Sequence, residues 1–154
     1  MNFILVIASY EPDNKLVTLI DTLKKNGINN ILVVDDGSGE KFSPIFDSVK
    51  TLGCLVVRYS ENRGKGYALK YGFKKALLSF GETDGFVTAD DDGQHKAGDI
   101  LNIFNALEKH PNCIVLGVRN FKNADIPARS RIGNRFSSAV FSIETGVKCP
   151  DTQT

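Results

Sequence analysis

Short continuous apolar runs alternate along this chain with segments whose apolar residues recur at helical spacing, and this alternation limits the possible folds more than any other feature. Apolar runs bounded by turn residues are typical of strands that are covered on both faces, as in a parallel sheet. The sequence predicts five such strands, over residues 3–8, 31–34, 55–59, 85–89 and 114–118. The chain is therefore expected to form an α/β fold with a mostly parallel sheet and helices on both faces.

The intervening segments are predicted to be helices. The first begins at an N-cap formed by Asp13 or Asn14 and stops near Gly27, because Asx residues favour helix starts and glycine favours helix ends. The others are predicted over residues 42–52, 64–80, 100–107 and 132–143. In the helix over 64–80, the residues expected to face inward are Ala68, Leu69, Phe73, Ala76 and Leu77. The regular alternation stops after Arg119.

Composition excludes several classes of protein. The 154 residues carry a net charge of +1, which argues against a nucleic-acid binder, since such domains are usually strongly basic. With 42% hydrophobic and 24% charged residues, the chain is typical of a globular domain and not of a disordered one. Three cysteines, Cys54, Cys113 and Cys149, have no metal-ligand spacing and are interpreted as buried thiols of a cytoplasmic protein. Neither a signal peptide nor a transmembrane segment is predicted.

The chemically capable residues follow the predicted strands. In an open parallel sheet, ligands bind beyond the carboxyl ends of the strands. Strand two ends in Asp35 and Asp36, and strand four ends in three consecutive aspartates, Asp90 to Asp92. Carboxylates converging at one edge would repel each other unless a cation offset them, and hard oxygen ligands favour Mg²⁺ or Mn²⁺ over zinc. Such a metal usually also binds substrate phosphates, so a nucleotide diphosphate is the expected ligand.

The spacing of Asp90, Asp92 and Gln94, with a turn through Gly93, predicts that all three could bind one metal ion. The alternative is a solvated acidic turn that caps the following helix. The neighbouring Asp35 and Asp36 favour the metal site over this alternative. His95 is interpreted as a turn or cap residue and not as a base.

Other candidates each have a structural alternative. Tyr10 could stack on a nucleobase or simply pack beside the sheet. Asp36 could accept hydrogen bonds from a base or ribose, or form a turn with Gly37, which needs only one of the two aspartates. Lys65, within Asn62-Arg63-Gly64-Lys65-Gly66 at a helix start, could contact a diphosphate. Arg119 could pair with phosphate or with the metal-site aspartates, or it could lie on the surface.

Four segments together resemble the family 2 glycosyltransferases of GT-A fold, particularly the branch of polyprenyl- and dolichyl-phosphate sugar synthases. They are ILVIASYE (residues 4–11), VVDDGS (33–38), NRGKGYA (62–68) and DDDGQH (90–95). The resemblance covers essentially the whole chain. It implies that the first part, residues 1–119, binds a nucleotide sugar and that residues 120–154 begin an acceptor half. The closing residues 151–154 resemble the start of an element that borders the acceptor site.

The resemblance also implies roles for individual residues. Ala8, Tyr10 and Glu11 would line the nucleobase pocket, and Asp36 would bind the base or ribose. Asp90, Asp92 and Gln94 match positions that hold Mg²⁺ or Mn²⁺ against the diphosphate. The expected donor-binding set also includes Lys65, Asp90, Asp91 and Arg119.

Two departures from the family pattern stand out. The usual Pro-Thr-Tyr-Asn-Glu is Ala-Ser-Tyr-Glu-Pro here, so the acid at Glu11 lies one place early. The chain also stops where the acceptor half should continue, and it is interpreted as a fragment. In the full-length protein, an interfacial helix or transmembrane segments would place it at the inner face of a membrane.

The expected reaction is transfer of a sugar from a nucleotide-diphosphate sugar to a lipid-phosphate or glycan acceptor, with metal-assisted departure of the diphosphate. The resemblance implies that the transfer proceeds with inversion. A polyprenyl phosphate is already anionic and needs no general base, whereas a hydroxyl acceptor would need one. Three alternatives remain. They are a sugar-nucleotide nucleotidyltransferase, a receiver-like phosphoacceptor module and a nucleotide-sugar-binding module without activity.

Overall fold

The computed structural model describes residues 1–93, 95–110 and 112–117. The chain divides into two compact units, Met1–Asn112 and Cys113–Thr154. All the helices and strands described here lie in the first unit. In chain order they are β1 Phe3–Ser9, α1 Asn14–Lys25, β2 Ile31–Asp36, α2 Ser43–Thr51, β3 Leu55–Tyr59, α3 Lys65–Phe80, β4 Gly85–Asp90 and α4 Ala97–Lys109. A short 3₁₀ turn, Glu40–Phe42, precedes α2.

The four strands form one parallel sheet in the order β3-β2-β1-β4. Because all strands run the same way, their carboxyl ends lie at one edge. The register fixes which residues meet there: Ala8 pairs with Asp90, and Asp36 pairs with Tyr59. The predicted α/β class, with a parallel sheet and helices on both faces, is confirmed.

The residues of β1 and β2 alternate between two hydrophobic cores on the two faces of the sheet. Leu5 and Ile7 point to the face covered by α1, α2 and α4. Ile4 and Val6 point to the face covered by α3. All four side chains have no exposed surface, which explains why the strand appears as an unbroken apolar run in the sequence.

Helix α3 approaches the sheet through small residues. Its buried positions are Ala68, Gly72 and Ala76, one turn apart on a single face. A Cβ atom added at Gly72 would lie 2.7 Å from Val6 Cγ1 and 2.8 Å from Val34 Cγ2, so only glycine fits this approach. The prediction that Leu77 faces inward is wrong, since its side chain is 49% exposed. Leu69 and Phe73 pack against the core on this face of the sheet, as predicted, whereas Leu77 does not.

The helix boundaries follow local chemistry. Asp13 is the N-cap of α1, and its side chain accepts a hydrogen bond of 2.7 Å from the Lys15 backbone N–H. That bond lowers the pKa of the Asp13 carboxyl. After α1, Gly27 adopts a positive φ of 87°. Both ends agree with the sequence prediction, whereas α4 extends beyond its predicted range at each end.

The structure corrects two further predictions. Residues 113–117 belong to no helix or strand, and Ile114 is 90% exposed, so the predicted fifth strand is wrong as far as it is described. An apolar run favours burial, but a strand also needs a neighbour to complete its hydrogen bonds. Cys113 is exposed, whereas Cys54 is buried as predicted. Cys149 and the predicted helix over 132–143 lie outside the described residues.

Within the described part of the chain, no helix is both long enough and apolar enough to cross a membrane.

Candidate functional site

A cleft of about 260 Å³ opens at the carboxyl ends of β1, β2 and β4, beside the start of α3. Most of the predicted site residues line it. The lining consists of Ala8, Ser9, Tyr10, Asp36, Asn62, Gly64, Lys65, Asp90, Asp91 and Asp92. Parallel strand direction brings these residues together although their positions in the chain range from 8 to 92.

The two aspartates at the end of β2 have different surroundings. Asp35 accepts hydrogen bonds from the Ser38 backbone N–H at 2.8 Å and from Arg58 Nη2 at 2.9 Å. It therefore forms the turn and an ion pair. Asp36 lies on the opposite face of the strand and lines the cleft. The turn thus uses Asp35 and leaves Asp36 for the cleft.

Asp36 is buried, with 3% of its surface exposed. Its Oδ1 atom accepts hydrogen bonds from the Tyr59 hydroxyl at 2.6 Å and from the Arg63 backbone N–H at 2.8 Å. Among the described residues, Oδ2 accepts no hydrogen bond. The protein therefore holds the Oδ1 atom of this carboxylate, while Oδ2 has no donor among the described residues.

A glycine allows the loop after β3 to reach Asp36. Gly37 has a φ of 73°, and a Cβ atom built on it would lie 2.4 Å from the carbonyl carbon of Glu61. The backbone at Glu61 and Asn62 therefore passes directly over Gly37. This close approach brings the Arg63 N–H into hydrogen-bond range of the Asp36 side chain.

The acidic residues at the end of β4 form an ion pair with a lysine from another element. Lys65 Nζ, at the start of α3, lies 2.5 Å from Asp90 Oδ1. The Asp90 backbone N–H donates a hydrogen bond of 2.9 Å to His95 Nδ1. His95 thus closes the turn, in agreement with the interpretation of this residue as structural.

Asp91 and Asp92 complete the acidic side of the cleft. Burial raises the pKa of Asp91, and a hydrogen bond from Ser9 Oγ to its Oδ2 atom opposes that shift. Among the described residues, no three Asp, Glu, His or Cys side chains form a cluster that could hold a metal ion. Gln94, the third predicted ligand, and Arg119 lie outside the described residues.

Tyr10 and Glu11 follow β1. Tyr10 lines the cleft and is 48% exposed. The pKa of the Tyr10 hydroxyl is raised, and the negative charge of Glu11 is the largest cause. Glu11 itself does not line the cleft, and its backbone N–H donates to Ser38 Oγ at 2.9 Å. The backbone of Glu11 has a φ of 52°, which is unusual for a residue with a side chain.

Sequence reasoning missed Tyr59, which touches Asp36, and Ser9 as the partner of Asp91. Both are the last residues of their strands. The missing information was the strand order, because only the pairing of β2 with β3 places Tyr59 opposite Asp36.

Comparison with known proteins gives a consistent picture. The family model described as Glycosyl transferase family 2 matches residues 4–151. An uncharacterized protein of Methanocaldococcus jannaschii is 34% identical over 132 residues, which cover 84% of this chain and 52% of that protein. A second uncharacterized protein of that organism is 30% identical over 143 residues, which cover 91% of this chain and 61% of that protein.

A third relative has a named activity. The UDP-N-acetylglucosamine–dolichyl-phosphate N-acetylglucosaminyltransferase of Methanococcus voltae is 26% identical over 168 aligned positions, which cover 97% of this chain and 65% of that enzyme. The chain therefore spans between 52% and 65% of the length of these curated relatives.

Proposed function

This chain belongs to glycosyl transferase family 2, and on that premise we propose that it binds a nucleotide-diphosphate sugar in the cleft and transfers the sugar to an acceptor. Its parallel sheet with helices on both faces is that of the Rossmann-like GT-A fold. The observation that carries the proposal is the meeting of Asp36, Asp90 and Asp92 with Lys65 in one cleft. This combination suits a ligand with hydrogen-bond donors at one end and a metal-bound diphosphate at the other.

The donor's parts have matching partners in the cleft. The acceptor-only carboxylate of Asp36 suits ribose hydroxyls or the N–H groups of a base. Tyr10, exposed at the mouth, offers a ring face for stacking on the base. The diphosphate would lie near Lys65 and the start of α3, whose first turn contains no acidic residue. Ala8, Asp91 and Arg119 complete the proposed donor-binding set. Glu11 does not line the cleft, so it would affect the donor only through its interaction with Tyr10.

The acidic turn fits a divalent cation. Asp90 Oδ1 already pairs with an ammonium group, which marks it as a position that favours a positive charge. Mg²⁺ is usually held by one or two carboxylates together with substrate phosphates, so it does not require a preformed cluster of three acids. Asp90 and Asp92, with Gln94 as a further oxygen ligand, would hold Mg²⁺ or Mn²⁺. Lewis-acid stabilisation of the departing diphosphate is the chemistry that such an ion supplies when bound.

The proposed acceptor is a lipid phosphate. This follows from the relative whose name gives dolichyl phosphate as its acceptor and UDP-N-acetylglucosamine as its donor. A phosphate acceptor is already anionic near neutral pH, so in-line attack with inversion would need no general base. The described residues accordingly need only bind and orient the donor.

A thermal-shift screen of UDP- and GDP-sugars, with and without Mn²⁺, tests the proposal, beginning with UDP-N-acetylglucosamine. A ligand present at about 100 times its Kd stabilises the folded state by about 2.7 kcal/mol. We expect at least one nucleotide sugar to raise the Tm in the presence of Mn²⁺, and the Asp36→Asn variant to lose that shift. If no nucleotide sugar raises the Tm, the donor-binding proposal is wrong. Release of nucleotide diphosphate from the bound donor then distinguishes a catalytic chain from one that only binds.

A further inference from the structure

The carboxylate of Asp36 is half satisfied. Two donors, the Tyr59 hydroxyl and the Arg63 N–H, bind the same oxygen, Oδ1. The Oδ2 atom has no donor among the described residues, although Asp36 is 3% exposed and lines the cleft. A buried carboxylate oxygen without a donor is unfavourable, so this geometry favours a ligand that supplies one.

Tyr59 is itself held in place by an aromatic group. Its ring meets those of Tyr67 and Tyr71 edge-on, with centroids 5.4 Å and 5.2 Å away. Such edge-to-face pairs are favourable and fix the orientation of the ring. The hydroxyl of Tyr59 is therefore not free to turn away from Asp36.

Arg63 closes the network around Asp36. Its backbone N–H binds Asp36, while its side chain donates a hydrogen bond of 3.0 Å from Nη1 to the Tyr67 hydroxyl. The guanidinium carbon lies 4.9 Å from the centre of the Tyr67 ring. Asp36, Tyr59, Tyr67 and Arg63 are thus linked in a closed ring of contacts, in which every member limits the movement of the next.

Burial raises the pKa of the Tyr59 hydroxyl, and its hydrogen bond to Asp36 raises it further. Tyr59 therefore stays protonated near neutral pH and acts as a donor. Because Tyr59 and Arg63 both donate to Oδ1, the Asp36 carboxylate is held in one orientation. Its Oδ2 atom remains for the ligand.

We propose that Tyr59 is a positioning residue that orients Asp36 for recognition of the nucleoside of the donor. This inference rests on the proposed function. It concerns the ribose hydroxyls or base N–H groups and not the diphosphate, because an acceptor-only carboxylate oxygen recognises hydrogen-bond donors.

The test compares Tyr59→Phe with Tyr71→Phe. Both variants keep an aromatic ring in the same group, but only the first removes a hydroxyl bonded to Asp36. Calorimetry with Mn²⁺ measures binding of UDP and GDP, and of inorganic pyrophosphate, which has no base or ribose. Loss of a hydrogen bond to a charged group predicts that Tyr59→Phe binds the preferred nucleoside diphosphate about tenfold more weakly. Pyrophosphate affinity should not change, and Tyr71→Phe should match the wild type for both ligands.

Three outcomes would overturn the inference. Unchanged nucleoside-diphosphate affinity in Tyr59→Phe would show that its hydroxyl does not position Asp36. An equal loss of pyrophosphate affinity would show general damage to the cleft. If the wild type binds neither UDP nor GDP, the proposed function fails as well, so this failure is distinct from the first two.

Discussion

Lys65 Nζ and Asp90 Oδ1 are 2.5 Å apart, and this ion pair joins the first residue of α3 to the last residue of β4. Both side chains are partly exposed, at 55% and 31%. The Lys65 ammonium group thus lies against Asp90 Oδ1, the oxygen that is proposed to bind a divalent metal. A metal ion and the lysine ammonium would compete for this oxygen.

Removing the charge of Lys65 should therefore strengthen the binding of metal to the free protein. Exposed ion pairs contribute about 0–1 kcal/mol, so we expect Lys65→Met to bind Mn²⁺ about two to five times more tightly than the wild type. Calorimetry without nucleotide measures this. Lys70→Met is the matched control, because Lys70 is an exposed lysine of the same helix. Equal or weaker Mn²⁺ binding in Lys65→Met would contradict competition at Asp90.

Substituting Gly37 should be more destabilising than substituting Gly39. Both residues have positive φ, at 73° and 82°, but only at Gly37 would a Cβ atom meet backbone, at 2.4 Å from Glu61. A residue with a side chain held in such a glycine-favoured backbone conformation costs about 1–3 kcal/mol. We expect that cost for Gly39→Ala and a clearly larger loss for Gly37→Ala, measured by urea unfolding. Equal losses would mean that the loop does not pass over Gly37 as described.

Gly72 provides a second test of close backbone packing. Alanine there would press on Val6 and Val34, and overpacking of this kind costs about 1–3 kcal/mol. Gly66→Ala is the control, because Gly66 lies in the same helix with no atom within 4 Å of the added Cβ. Helix propensity alone predicts a gain of up to about 1 kcal/mol for Gly66→Ala. A gain for Gly72→Ala in denaturant unfolding would contradict the small-residue face of α3.

The two described cysteines should react at different rates. Burial raises the pKa of the Cys54 thiol, which leaves little of the reactive thiolate, while Cys113 is exposed. In a Cys149→Ser background, we expect Cys113 to react with a thiol reagent such as DTNB in the native protein. Cys54 should react only after denaturant is added. Rapid reaction of Cys54 in native buffer would argue against its place in the core.

The elements of the first unit could be predicted because their signals are local. The run at β1 and the Asp13 cap depend on neighbouring residues, and the structure places both where the sequence indicated. The inward face of α3 was predicted less well. Its position depends on a glycine that allows close approach, whereas apolar spacing alone predicts Leu77 to be inward and its surface is 49% exposed.

The candidate site could be predicted only in part. Strand ends identify Asp36 and Asp90, since parallel strands bring their carboxyl ends to one edge. The partner of each acid depends on strand order and loop path, which no local pattern gives. The sequence could not indicate that Tyr59 binds Asp36 or that Lys65 pairs with Asp90. The prediction of a fifth strand was wrong for the same reason, because the pairing of one strand with another is not a local property of the sequence.

The most direct measurement is the affinity of a nucleoside diphosphate for the wild type and for Asp92→Ala, by calorimetry with and without Mn²⁺. Glu108→Ala, at an exposed acid near the end of α4, is the control. We predict that Mn²⁺ strengthens UDP or GDP binding to the wild type and to Glu108→Ala, and that Asp92→Ala loses this metal-dependent gain. Equal, metal-dependent affinity in all three proteins would contradict the proposal that the acidic turn after β4 binds the metal and the diphosphate.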